Sequence, residues 1–386
     1  MRGSIIRRSN SYRIKVSLGK DLETGKYVSY YETVRGNKKD AETRLNEIIN
    51  QHEKGIFIKP NKLVFSDFLD RFLEEYARPN VAPRTREVYE MMIRKHIMRN
   101  LGYLPLTALR PEHLQKYYND LLVSGLSPQT VRHHHTLIHK VLQNALELGL
   151  LSRNVADSVK HPKVQPKDMQ IWNIDEIENF LKVAQDTPYY ALFHLALFTG
   201  MRRSELLALR WQDIDLILGE VSVNRTLHQL KDKTFVFRPP KTAKGRRTIA
   251  LTPRALQTLQ DHYEKCKNLS SILDIPFNED ALVFCHIEDG EPLRPNTITR
   301  AWKLTAAKAK VKPIPLHGAR HSHASLMLKQ GVHPKIVQER LGHSSIATTL
   351  DTYSHVTPGL QQAAAKAFDQ AFSKDYNGIR ALENSH

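Results

Sequence analysis

The sequence predicts a multidomain protein. Its fold class is a small β-sheet-plus-helix N-terminal domain, an all-α domain, and a mainly α C-terminal domain with a small antiparallel sheet. Three observations carry this. Residues 5–34 alternate in strand fashion around one turn, and residues 63–160 repeat apolar positions at helical spacing between Pro and Gly breaks. Beyond the proline-containing, basic stretch at 161–169, helical segments enclose three short β-branched runs. The boundaries therefore fall at 1–60, 63–160, a linker at 161–169, and 170–386. With 386 residues, 41% of them hydrophobic, the chain can bury two or three cores.

In the first segment, SYRIKVSL and YVSYYETV flank a turn at Thr24-Gly25, and Ala41, Leu45, Ile48 and Ile49 mark a helix stopped at Gly55. From residue 1 to 62 basic side chains outnumber acidic ones two to one. Arg7, Arg8, Arg13, Lys15 and Lys26 alternate with Tyr12, Tyr27, Tyr30 and Tyr31. A β-ribbon so decorated fits a DNA major groove, although a merely solvated basic face has the same composition. Four helices follow, with Ser66 a candidate N-cap and Pro83, Pro111 and Pro128 in first-turn positions. The run His133-His134-His135 is not expected to chelate a metal, because consecutive helical side chains point about 100° apart.

In the last segment an apolar helix ends at Gly200, and Arg202 opens the next, with Glu205 one turn on and apolar flanks around both. Strand-like GEVSVNRT, KTFVFRPP and RRTIALT come next. The last two enclose a basic hairpin tip with Lys241, Lys244, Arg246 and Arg247. After helices at 253–268 and 295–310 comes the stretch 316–356, then an Ala-rich amphipathic tail helix at 359–373.

The net charge of +17 and pI of about 9.7 point to a polyanion, nucleic acid first. Cys266 and Cys285 show no metal-ligand spacing, so a reducing, cytoplasmic setting is expected rather than a disulfide framework. Neither a signal peptide nor a membrane-spanning helix is expected.

Stretch 316–356 concentrates the chemistry. His317 and Arg320 share a helix face, His343 follows a glycine cap at Gly342, and Tyr353 lies in a short polar segment. Arginine presents a fork of donors that matches phosphate, and histidine moves protons near neutral pH. Tyrosine can attack, though it is weak at its ordinary pKa of about 10. An ordinary helix–turn–helix is the plainer reading of this stretch taken alone.

Thr199-Gly200-Met201-Arg202-x-x-Glu205, His317-x-x-Arg320, Leu341-Gly342-His343 and Tyr353, in that order, resemble the tyrosine recombinases, or phage-type integrases. Within that family the chain is similar to integrases of conjugative transposons and phages of Gram-positive bacteria. The resemblance implies that Arg202, His317, Arg320, His343 and Tyr353 are catalytic, joined by a lysine that is Lys241, or Lys244 as the alternative. It implies a 3′-phosphotyrosyl intermediate formed with no metal, cofactor or ATP, and Glu205 as a brace. It further implies that residues 1–60 bind arm sites on DNA. Arg7, Arg8, Arg13, Lys15 and Lys26 of the basic, tyrosine-rich strands, and Lys244 and Arg246 of the hairpin tip, are the expected DNA contacts. The domains at 63–160 and 170–386 would clamp core-site duplex, a homo-tetramer would exchange strands between two sites, and an excisionase or host DNA-bending protein would assist. Two rivals stand beside this: a non-catalytic helix-turn-helix regulator, and a topoisomerase or telomere resolvase using the same chemistry.

Overall fold

The computed structural model describes residues 3–20, 25–53, 63–165 and 169–353, with Ala365, Phe368 and Asp369. The chain divides into two compact units, Met1–Pro166 and Lys167–His386.

The first unit opens with strands β1 (Gly3–Arg8), β2 (Ser11–Lys20) and β3 (Tyr27–Arg35), antiparallel in that order, and helix α1 (Lys38–Glu53). Period-two alternation sends Ile14, Val16 and Tyr30 inward against Ala41 and Ile48 of α1. Reciprocal bonds between Asn37 and Asp40, both 2.9 Å, start that helix. On the opposite face the register aligns Ile6 with Arg13 and Thr33, and Ser4 with Lys15 and Tyr31. Arg13 lies 4.6 Å from the centre of the Tyr31 ring. Arg8 shares this open face, whereas Arg7 pairs with Tyr12 and belongs to the helix side. The basic residues expected to act together are therefore divided, because neighbours on a strand point opposite ways. Lys26 is exposed just before β3, while Thr24 and Gly55 lie outside the described residues.

A second core in this unit is built by helices α2 (Phe65–Arg71), α3 (Pro83–Met92), α4 (Pro111–Val123) and α5 (Pro128–Glu147). Helices α2 and α3 run on through π-type turns at Phe72–Ala77 and Ile93–Ile97. Phe65, Phe68, Phe72, Ile93, Tyr118 and Ile138 fill the centre. Ser66 is not the N-cap. It lies inside α2, whose first amides are satisfied by the carbonyls of Leu104 and Gly102 at 2.8 and 3.0 Å. The three consecutive histidines diverge, as their spacing requires. His133 meets Gln129, His134 meets the Tyr117 hydroxyl at 2.8 Å, and His135 meets that of Tyr118 at 3.2 Å.

The second unit holds α6 (Ile174–Ala184), α7 (Tyr190–Thr199) and α8 (Arg203–Leu206). Strands β4 (Ile214–Asp215), β5 (Glu220–Val223), β6 (Thr226–Gln229), β7 (Phe235–Arg238) and β8 (Arg247–Ala250) follow. Helices α9 (Pro253–Ile272), α10 (Pro295–Lys308), α11 (Leu316–Lys329), α12 (Pro334–Leu341) and α13 (Ile346–Tyr353) complete it. Its core centres on Trp172, Phe180, Phe193 and Trp302, the two indoles stacked 4.9 Å apart.

One strand pairing differs from the expectation. β7 pairs with β6, whereas β8 pairs with β5 in a sheet ordered β4-β5-β8. Segment 239–246 is therefore a connection between two sheets and not a hairpin tip. Pro239 and Pro240 carry no amide hydrogen and cannot extend a ladder, so β7 ends at Arg238. The tail helix expected at 359–373 lies outside the described residues, apart from Ala365, Phe368 and Asp369.

Candidate active site

Helix α7 is apolar on every side and buried, and it ends at Gly200, whose φ of +67° is left-handed. A Cβ there would meet Leu341 at 2.7 Å and His323 at 2.9 Å, so both conformation and space demand glycine. The turn delivers Arg202 to the start of α8 in extended conformation, its side chain 37% exposed. Glu205, one turn on, accepts from the Arg202 amide at 2.9 Å and from Nη1 at 2.7 Å.

Glu205 has a second cation. Arg247, at the head of β8 and 6% exposed in its side chain, places Nη2 2.9 Å from Oε2. The carboxylate is 1% exposed. Burial would raise its pKa, but bonds and charge from Arg247, then the charge of Arg202, hold it below the ordinary value. Arg247 also donates through Nε to the Arg340 carbonyl at 2.6 Å, tying β8 to α12. The sequence suggests instead a basic hairpin tip for Arg247. The signal that finds it is alternation, since Arg247 and the buried Ile249 share one side of β8.

Arg320 on α11 is 2% exposed. Its guanidinium donates to the Gly200 carbonyl at 2.9 Å and to the Leu341 carbonyl at 2.6 Å. One side chain thus fixes the segments that precede Arg202 and His343. His317, one turn before it, is exposed and lies edge-to-face with His321, ring centres 4.6 Å apart. Desolvation, then Arg320 and Arg202, lower the His317 pKa.

His343 follows Gly342, the left-handed cap of α12 with φ +66°. Its backbone is clamped by Gln338, which accepts from the His343 amide at 3.1 Å and donates Nε2 to its carbonyl at 2.7 Å. Its Nδ1 lies 2.9 Å from Thr349 Oγ1. Desolvation, Arg320 and Arg202 push its pKa down to about 4. Lys244 reaches the same corner, donating Nζ to the Ser344 carbonyl at 2.8 Å. Lys241 and Arg246 are exposed on the connection between the sheets, and Lys241 has no polar partner among the described residues. Tyr353 closes α13, and its side chain lies outside the described ones.

The fold therefore gathers Arg202, His317, Arg320 and His343 around the buried Glu205, with Lys244 at the edge. Two cations beside two histidines kept uncharged are chemically suited to a phosphodiester, whose charge the cations can meet while the histidines can move protons.

Residues 170–359 match the phage integrase family, and residues 64–122 match its N-terminal SAM-like domain. The ICEBs1 integrase of Bacillus subtilis is 28% identical over 366 residues, covering 94% of this chain and 97% of its own. A XerC-like tyrosine recombinase of Caldanaerobacter subterraneus is 28% identical over 383 residues, covering 94% and 96%. The chain belongs to the phage integrase, or tyrosine recombinase, family. The fold is shared with the Tn1549 transposon integrase solved with a circular-intermediate DNA, at TM-score 0.67 and 21% identity over 79% of this chain and 99% of that one. A lambda integrase tetramer bound to a Holliday junction gives TM-score 0.58 at 20% identity, over 92% of this chain and 95% of that one.

Proposed function

We propose that this protein cleaves and rejoins duplex DNA with Tyr353 as nucleophile, and so integrates and excises a mobile element. The activity is that of a tyrosine-type site-specific recombinase. The observation that carries the residue roles is the seating of Arg320 on the Gly200 and Leu341 carbonyls, beside Arg202 held by Glu205. Both guanidinium groups are oriented before DNA arrives, so little reorganisation remains when charge grows on the phosphate.

In the step we assign, the Tyr353 oxygen bonds to phosphorus as the bond from phosphorus to the 5′-oxygen breaks. The phenolic proton passes to His317, which is uncharged at neutral pH because its pKa is lowered. Lys241 protonates the departing 5′-oxygen, while Lys244 braces the connection against Ser344. Arg202 and Arg320 bind the non-bridging oxygens, and His343 donates to one of them. The 3′-phosphotyrosyl bond keeps the energy of the phosphodiester, so attack by a 5′-hydroxyl reverses the step and rejoins the strand.

We further infer that the open sheet face with Arg8, Arg13, Lys15 and Tyr31 binds arm sites, with Lys26 beside it, whereas Arg7 on the helix side is not part of that surface. The domains at 63–160 and 170–386 would contact the core site, where Lys244 and Arg246 meet the backbone. Four copies would assemble on two sites, and an excisionase or DNA-bending partner would set direction. A regulator without catalysis has no use for cations fixed this way.

The test is a nicked duplex that traps the covalent intermediate, resolved on a denaturing gel. An adduct is expected with the natural chain and none with Tyr353→Phe, whose DNA binding should stay within about twofold. An adduct of equal yield from the variant would remove Tyr353 from the mechanism.

A further inference from the structure

Between Tyr353 and His343 lies a contact that no sequence motif marks. Thr349 is on α13, one turn ahead of Tyr353, and is 0% exposed. Its Oγ1 is 2.9 Å from His343 Nδ1, and it makes no other side-chain hydrogen bond among the described residues. That isolation fixes the direction of the bond. If Nδ1 donated to Oγ1, the threonine hydroxyl hydrogen would be buried with no acceptor among the described residues. The hydroxyl therefore donates and Nδ1 accepts. An uncharged imidazole has one donor and one acceptor nitrogen, so the ring proton must sit on Nε2.

The backbone of His343 is already held on both sides by Gln338, itself 2% exposed. The ring's orientation and tautomer are what remain to be set, and Thr349 is the group in position to set them. We propose that Thr349 is a positioning residue that fixes His343 with its proton on Nε2, and does so only while α13 is docked against α12. The donor to the phosphate and the helix bearing the nucleophile are then readied by one bond. When α13 leaves, Nδ1 loses its partner and the ring is released to rotate and exchange tautomers. The consequence for cleavage rests on the recombinase reading above, whereas the tautomer does not.

The experiment uses the full chain with 15N-labelled histidine. Long-range proton–nitrogen correlation reports which ring nitrogen carries the proton, with the His343 signal identified by its loss in His343→Gln. The natural chain should show Nε2–H. Thr349→Val keeps the shape and removes the hydroxyl. It should give mixed tautomers and slow adduct formation on the nicked duplex about 10- to 100-fold, with DNA binding unchanged. Thr349→Ser, which retains the hydroxyl, should restore both readouts, and thermal melts of both variants establish that they fold. Nδ1–H in the natural chain, a Thr349→Val variant that cleaves at the natural rate, or a serine variant as slow as the valine would each overturn the proposal. An Nε2–H signature with no adduct from the natural chain would count against the recombinase reading and leave the Thr349 assignment standing.

Discussion

Glu205 is a buried carboxylate between two arginines, and the two are not equivalent. Arg247 is enclosed and bonded to backbone carbonyls, whereas Arg202 opens towards solvent. Removing the carboxylate leaves Arg247 charged, desolvated and without its counter-ion. Breaking such a pair costs about 3 kcal/mol or more. Glu205→Ala should lower unfolding stability by that order, read from the denaturant midpoint. Because its pKa is depressed in the folded state, the stability it contributes is present above the unfolded value near 4.5 and is lost as pH falls through the folded one. The spacing places Glu205 one turn from Arg202, and the family resemblance implies that it is a brace. Neither shows Arg247, which sits 42 residues away and meets Glu205 only after β8 has paired with β5.

At the scale of elements, what local chemistry determines was legible. Alternation announced β1 to β3, and proline at first-turn positions announced α3, α4 and α5. What depends on a distant partner was not. Ser66 looked like a cap because its residue type favours one, but the amides there are met by a loop some forty residues on. The β7–β8 hairpin looked natural because the strands are consecutive, yet both pair elsewhere. Two turns of the candidate site were legible because each carries its own local signature: a left-handed glycine before Arg202 and another before His343. The connection between the sheets makes a prediction that separates its lysines. A DNA substrate with sulfur replacing the 5′-bridging oxygen has a leaving group that needs no protonation. It should rescue cleavage by Lys241→Ala to within about tenfold of the natural chain, given the 10²–10⁴-fold typical of general acid catalysis. Lys244→Ala should be equally slow on both substrates, and a gel time course distinguishes them.

For the whole molecule, several histidines share one environment. Burial pushes His134 and His194 down to about 4 and His323 to about 3, and desolvation with neighbouring arginines does the same to His343. In the unfolded chain these rings take up protons near pH 6.5, in the folded chain only near 3 to 4. Folding is therefore most favoured above 6.5 and weakens as pH falls towards 4. The melting temperature should drop measurably between pH 7 and pH 5, and His194→Phe should flatten that slope, since His194 is buried and stacked on Phe198 at 4.2 Å. Removal of residues 1–60 takes away a cluster with its own core, so the remainder should fold and keep weak core-site binding. Its second DNA specificity should vanish in a gel-shift assay with arm-site duplex.

Arg320 donates to two carbonyls, one 120 residues before it and one 21 residues after it. A chain emerging from the ribosome has made the first partner long before the arginine, but the second only when residue 341 has cleared the exit tunnel. Until then the guanidinium lacks one of its anchors, and Tyr353, the nucleophile we propose, is still inside the tunnel. The order of residues along the chain would thus withhold strand-breaking power from every copy that ends before Tyr353. A translation product stalled short of α12 would be a harmless DNA-binding fragment.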